Sequence, residues 1–429
     1  MAAAISGAAS GDDRKLARRA IVAATIGNAL EFYDFMIFTF FAIQIGAAFF
    51  PSDDPFVSLM ASLATFGVGF VSRPLGAWMI GGYADRHGRK PALMLSMILM
   101  GVAIAVMALT PTYAMIGVAA PVIVVLARLA QGFAVGGEVG PATAYMMENA
   151  SEARRGLVVG MQRVSQLIAT TAGSLVGLLL SLMLPADAFA SYGWRLGMLL
   201  GVVIVPFALW IRHRLPETRH VEEAPTLATQ APEKGVRPIY IIGPVLMMAG
   251  TIGAYVGTYL ATFGQASLNL SSTTALAGQV LGNMAALSTC LASGWISDHV
   301  GRKPALFAII AAQMILIPTS FAWMVAQPSL FSFFAGSILL SAAIGAFPSP
   351  ANTAIIESLP KSGRSRGFAL IYSVPVTVFG GTTQLVVTWL IKLTGSDMMV
   401  AWYPVAGLAL AGIATLWLRE SAPRKLASV

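Results

Sequence analysis

Twelve long stretches of this chain contain almost no charge, and that feature limits the fold more than any other. They run over about 18–49, 55–83, 91–110, 114–147, 156–184, 192–212, 237–267, 272–297, 304–323, 328–356, 367–392 and 398–418. Each is apolar on every side instead of along one stripe, as a helix must be when it faces lipid and other helices. In hydrocarbon every backbone N–H and C=O must be satisfied internally, so runs of this length span the bilayer as helices. Only 11% of the 429 residues are charged, against about 25% in a soluble domain. The expectation is an all-α membrane protein.

A second feature divides the chain. The turn Asp85-Arg86-His87-Gly88-Arg89-Lys90-Pro91 returns as Asp298-His299-Val300-Gly301-Arg302-Lys303-Pro304, with Asp, Gly, Arg, Lys and Pro at one constant offset. Glu148 with Arg155-Gly156 after the fourth run resembles Glu357 with Arg366-Gly367 after the tenth. Repetition of this kind marks a duplicated unit. The expected halves are 1–212 and 237–429, each of six helices, joined by a linker at 213–236 that carries Pro216, Pro225 and Pro232.

Basic residues gather in alternate loops, at Arg86/Arg89/Lys90, Arg154/Arg155, Arg212/Arg214/Arg219, Arg302/Lys303 and Arg364/Arg366, and at both termini. The other loops hold Asp53, Asp54, Asp187 and Asp397, with Arg195 and Lys392 as their only basic residues. The bias predicts that both termini lie in the cytoplasm. It also explains the net charge of +8 without nucleic acid. No cleavable signal peptide is expected before the first apolar run. The single cysteine, Cys290, excludes a disulfide framework and a thiolate metal cluster. No phosphate-binding G-x-x-x-x-G-K-[ST] occurs, which argues against an ATP-driven pump. Gly363-Arg364-Ser365-Arg366-Gly367 spells a nucleophile elbow but lies in a basic loop between helices, so no enzyme is expected.

A charge deep in the bilayer is costly and marks a site. Six lie well inside the runs: Glu31, Asp34, Arg73, Arg128, Glu138 and Arg163. Asn28, Glu31 and Asp34 share one face of the first helix, and Arg128, Gln131 and Glu138 one stripe of the fourth. Gly132, Gly136 and Gly140 give that fourth helix a ridge for close approach. Arg73 is expected about 18 Å from the basic turn and Arg163 about 12 Å deep, the latter beside Gln162 and Gln166. Arg128 cannot lose its charge, so it needs an anion, with Asp34 and then Glu31 as the expected partner. Cargo that draws the arginine away would free that carboxylate to take a proton. Arg73, Arg128, Arg163, Gln131, Gln166, Asn28, Tyr255 and Tyr259 are the candidate cargo contacts. Asp34, Glu31 and Glu138 are the candidate proton carriers. Mutual neutralisation of buried arginines and carboxylates is the plainer alternative. The other polar residues of the second half, among them Asn352, Tyr372 and Gln384, read as helix-packing groups.

The basic turn resembles the signature loop of the major facilitator superfamily. The stretches 27–35, 72–77 and 128–138 are similar to those of its metabolite:proton symporters. Leu268-Asn269-Leu270-Ser271 and Phe379-Gly380-Gly381 look most like the citrate/tricarballylate branch. The resemblance implies a major facilitator fold of twelve transmembrane helices and proton symport of a di- or tricarboxylate by alternating access. It further implies no cofactor beyond the proton gradient, and a monomer in a bacterial inner membrane. It gives Asp85, Arg89, Asp298 and Arg302 the role of a gating loop on the cytoplasmic side. Proton-coupled transport of another metabolite, or export by antiport, stays open.

Overall fold

The computed structural model describes residues 32–203, except 34, 88, 136–142, 144–145 and 148–149, then 238–360 and 364–426. Asn28, Glu31, Asp34, Glu138 and the 213–236 linker lie outside the described residues. The backbone of Asp85 and Arg89 is described, and their side chains are not.

Among the described residues every regular element is helical. In the first half, α1 has its regular stretch at Ala42–Phe49. α2 runs Pro55–Val71 and, after a break at Ser72, Arg73–His87. α3 is Arg89–Leu109, α4 is Ala119–Val135, and α5 is Arg155–Met183. α6 is described to residue 203. In the second half come α7 (Ile239–Ala266), α8 (Ser272–Val300) and α9 (Arg302–Ala326). α10 is Leu330–Ala346 continued as Pro348–Glu357, α11 extends from Arg364 to Thr394, and α12 is Met399–Trp417. Eight of these are long and apolar enough to cross a membrane, and two shorter apolar helices cover Met94–Leu109 and Ala119–Ala134. Ten of the twelve expected spans are thus matched among the described residues; the first and sixth are described only in part, and one bound is corrected. The fourth starts at Ala119 and not near 114, because a short turn at Tyr113–Ile116 ends on Gly117 with φ 60°.

Local chemistry sets the ends. Asp54 accepts the Phe56 N–H at 2.9 Å ahead of Pro55, and Ser271 accepts the Thr274 N–H at 3.2 Å. Gly301 joins α8 to α9 at φ 112°, a conformation that a side chain would strain, and this accounts for the glycine in the repeated turn.

Three helices are not continuous where the sequence reads single runs. α2 breaks at Ser72, just before Pro74; its hydroxyl donates to the Leu129 carbonyl at 2.7 Å. α10 breaks at Phe347 before Pro348, and α11 widens into a π-type turn at Val376–Gly380 after Pro375. Proline removes a donor from the helical ladder, and such interruptions are tolerated at depth only where protein or a cavity lies alongside.

Within the first half, α2 and α4 cross closely. A Cβ on Gly132 would collide with the Gly69 backbone carbonyl, so the glycine expected to admit a neighbour does so against α2. Between the halves, α5 and α8 pack along their length. Asn283 donates to Ser174 Oγ at 3.2 Å, and Thr273 donates to the Ser181 carbonyl at 3.4 Å. α2 and α11 meet where a Cβ on Gly381 would lie 2.8 Å from the Gly67 carbonyl oxygen.

Candidate functional site

Between the halves lies a partly open cavity. Phe32 of α1 and Gln162, Arg163 and Gln166 of α5 line it from the first half. From the second half come Thr251 and Tyr255 of α7, Phe347, Pro348 and Asn352 of α10, and Tyr372 and Val376 of α11. The breaks in α10 and α11 thus fall on its wall.

Arg163 is the charged residue of this lining. Its Nη1 donates to Gln166 Oε1 at 2.8 Å, while its Nε is buried without a hydrogen-bond partner. Gln162 accepts from Thr143 at 2.6 Å, leaving its amide group able to donate. The Asn352 side chain and the Tyr255 hydroxyl make no hydrogen bond among the described residues, and both residues are buried. A guanidinium, side-chain amides and phenols around one space make a donor-rich pocket suited to carboxylate and hydroxyl oxygens.

The other expected contacts lie elsewhere. Arg128 is fully buried, donates to Gln131 Oε1 at 2.6 Å, and sits over the rings of Phe38 (4.3 Å), Phe35 (4.6 Å) and Phe66 (5.2 Å). Arg73 sits over Phe70 at 4.0 Å and Phe35 at 4.8 Å. Both cations share the Phe35 ring, and neither they nor Gln131 line the cavity. Of the three arginines expected to meet cargo, Arg163 is the one in the described cavity lining, while Arg73 and Arg128 stack on a wall of aromatic rings. Tyr255 lines the cavity as expected. Tyr259 is instead packed in the core, its hydroxyl 2.8 Å from Thr388 Oγ1. That wall was missed, although Phe35/Phe38 and Phe66/Phe70 recur at the spacing of one helix face.

The gating pair in the second half forms a buried network where α8 meets α9. Asp298 accepts the backbone N–H of Gly156 at 2.8 Å and of Leu157 at 3.2 Å, so it caps α5 from across the seam. Arg302 pairs with Asp298 at 2.7 Å and with Glu357 at 3.1 Å. Glu420, beyond α12, accepts the N–H of Arg302 at 2.9 Å and of Lys303 at 3.1 Å. Ser421 donates to Glu357 at 2.8 Å. Burial raises the Glu420 pKa, but the backbone donors of Ala422, Arg302, Lys303 and Ser421 outweigh it and hold the carboxyl below its usual range. The repeat points to Glu357 by analogy with Glu148; Glu420 has no signal beyond being acidic directly after the last span.

Comparison with known proteins agrees with this architecture. A model of the Major Facilitator Superfamily matches residues 24–374. The chain is 34% identical over 411 residues to a citrate-proton symporter of Salmonella typhi, covering 94% of each chain. It is 33% identical to a citrate-proton symporter of Klebsiella pneumoniae, covering 94% of this chain and 92% of the relative. A glycine betaine/proline/ectoine/pipecolic acid transporter, OusA of Dickeya dadantii, is 29% identical, with 97% and 85% covered. In structure the chain resembles the xylose transporter XylE from E. coli, partially occluded and inward open, with TM-score 0.76 at 16% identity over 95% and 99% of the two chains. Twelve apolar spans, a duplicated basic turn and a polar cavity between two helical halves come together in one assignment: this chain is a membrane transporter of the Major Facilitator Superfamily, and not an enzyme.

Proposed function

We propose that the protein imports a di- or tricarboxylate, citrate or a close analogue, together with protons by alternating access. The observation that carries this reading is Arg163. Its guanidinium lines the cavity between the halves and, among the described residues, has only a neutral amide as hydrogen-bond partner. A desolvated guanidinium gains most from a carboxylate, which it meets through two parallel hydrogen bonds. Relatives named as citrate-proton symporters support the cargo class. Asp34, with Glu31 and Glu138 behind it, carries the proton in this reading, exchanging it as the arginines change partners. No cofactor is needed, since the proton gradient supplies the work. The basic loops set both termini in the cytoplasm of a bacterial inner membrane. In this reading the chain works as a monomer, with the 213–236 linker joining its halves, and both halves contribute to one cavity lining.

A second reading has one observation in its favour. One guanidinium facing Phe32, Tyr255 and Tyr372 also suits a small zwitterion, with its cation against the rings. Relatives named as proline/betaine transporters share 28–30% identity with the chain.

Uptake into proteoliposomes under an imposed proton gradient, competed by citrate, tricarballylate, 2-oxoglutarate, proline and betaine, separates the two. Accumulation of a tricarboxylate that collapses with a protonophore is expected. Accumulation of betaine alone would replace the first reading with the second, and efflux driven by the gradient would make the protein an exporter. Asp34→Asn should retain exchange and lose accumulation; a variant that still concentrates cargo removes Asp34 from the proton path.

A further inference from the structure

Tyr255 belongs to two places at once. It lines the cavity from α7 of the second half. Its ring also stands edge-on to Phe66 at 6.0 Å and to Phe70 at 5.7 Å, both on α2 of the first half. Those are the rings that carry the buried cations: Phe70 lies 4.0 Å from the Arg73 guanidinium and Phe66 5.2 Å from that of Arg128. Phe35 joins the set, 4.7 Å from Phe66 and 5.0 Å from Phe70.

The ring has little room behind it. A Cβ on Gly380, at the end of the π-type turn of α11, would lie 2.8 Å from Phe70 and 3.0 Å from Tyr255. Motion of Tyr255 is therefore passed to Phe66 and Phe70 or to the α11 turn, because close-packed interiors transmit displacement. The residue lines the cavity, and its hydroxyl makes no hydrogen bond among the described residues. A buried phenol ordinarily finds a partner. Tyr259, one turn further along α7, has found Thr388 and does not face the cavity.

We propose that Tyr255 is a positioning residue that links the cargo cavity to the Arg73–Arg128 pair and so sets proton coupling as well as cargo contact. This rests on the proton-symport reading above. Cargo oxygen taken up by the Tyr255 hydroxyl shifts the ring against Phe66 and Phe70. The faces of those rings, together with that of Phe35, stabilise the two guanidiniums in a desolvated setting. Changing that stabilisation changes the proton affinity of whichever carboxylate answers the same cations. Among the described residues the charged and titratable groups around Tyr255 are Arg73 on α2, Arg128 on α4, Arg163 on α5 and Tyr372 on α11. In the proton-symport reading the proton is carried by Asp34, and Tyr255 acts on it through the arginines.

The test uses the full-length protein in proteoliposomes, with labelled citrate as probe. Two quantities are read across external pH: exchange in the absence of a gradient, and the accumulation ratio under an imposed proton gradient. Tyr255→Leu removes ring and hydroxyl; Tyr255→Phe removes the hydroxyl alone and preserves packing. Both should raise the KM of exchange, since the residue touches cargo; the deciding readout is the accumulation ratio, a steady-state quantity that a change in KM alone does not move. The Leu variant should fall to an accumulation ratio near unity with a flattened pH profile, and the Phe variant to an intermediate ratio. Wild-type accumulation ratio and pH profile in both variants, with only KM raised, would reduce Tyr255 to a cargo contact and overturn the proposal. Parallel loss of exchange and accumulation in the Phe variant would overturn it in favour of a packing role. Should the Leu variant not fold, the Phe variant decides. Wild-type protein that accumulates betaine but not citrate would overturn the cargo assignment alone, and the same comparison would then be read with betaine.

Discussion

The Asp298 carboxylate of one half receives the backbone N–H of Gly156 from the other half at 2.8 Å. A helix start carries unsatisfied donors and partial positive charge, so an anion there is stabilising. α5 takes its anion from the opposite half, which makes the cap a latch across the seam. Asp298→Ala leaves the α5 donors unpaired and Arg302 with Glu357 alone. Loss of one member of a buried ion pair costs about 3–5 kcal/mol, enough to open this end. Cys290 lies at the same seam, its Sγ 3.2 Å from Ser349 Oγ, and as the sole cysteine it reports directly. Maleimide labelling of Cys290 should rise about tenfold or more, since 1.4 kcal/mol already corresponds to a factor of ten. Unchanged labelling would show that the latch does not hold this end shut.

Arg163→Gln should weaken cargo rather than dismantle the fold, because the side chain is only part-buried and has no ion pair among the described residues. A hydrogen bond to a charged group contributes about 1.5–3 kcal/mol, so KM for a carboxylate should rise by roughly ten- to a hundredfold. Thermal stability should change little. Transport assays with an uncharged analogue should show no such loss, and an equal loss for both would mean that the charge is not read.

On the far side of the cavity from the latch, Gly381→Ala would set a methyl group 2.8 Å from the Gly67 carbonyl and 3.0 Å from Phe70. Overpacking of this kind costs about 1–3 kcal/mol, and it falls on a contact between halves that must form and part during transport. Turnover is expected to drop about tenfold or more while cargo binding, measured by calorimetry in detergent, stays within about twofold. Equal loss of both would show that the site itself had been disturbed.

Glu420→Gln removes the charge that caps α9 through the N–H groups of Arg302 and Lys303. Loss of an N-terminal cap costs about 1 kcal/mol, so the melting temperature should fall by a few degrees. The folded-state pKa is below its ordinary value, so the stabilisation is complete above the ordinary carboxylate range. It fades as the pH falls through the lowered folded value. The difference in melting temperature between wild type and Glu420→Gln should therefore be full at neutral pH and shrink in acid. A difference independent of pH would mean that shape, not charge, holds the tail.

Sequence alone gave each charged residue an expected depth and the type of element that carries it. Spans, the repeated turn and the depth of Arg73, Arg128 and Arg163 follow from chain position, because a helix rises by a fixed amount per residue and charges are excluded from lipid. The close approach at Gly132 was legible for the same reason, since a small residue on a regular face admits a backbone wherever a neighbour comes. Only the tertiary structure decided which face met which. It stacked Arg73 and Arg128 on the rings of Phe35, Phe66 and Phe70, and set Arg163 in the cavity lining. It also carried Glu420 from the end of α12 to the start of α9. Those pairings join residues far apart in the chain and depend on how separate helices rotate and pack, which no local spacing encodes.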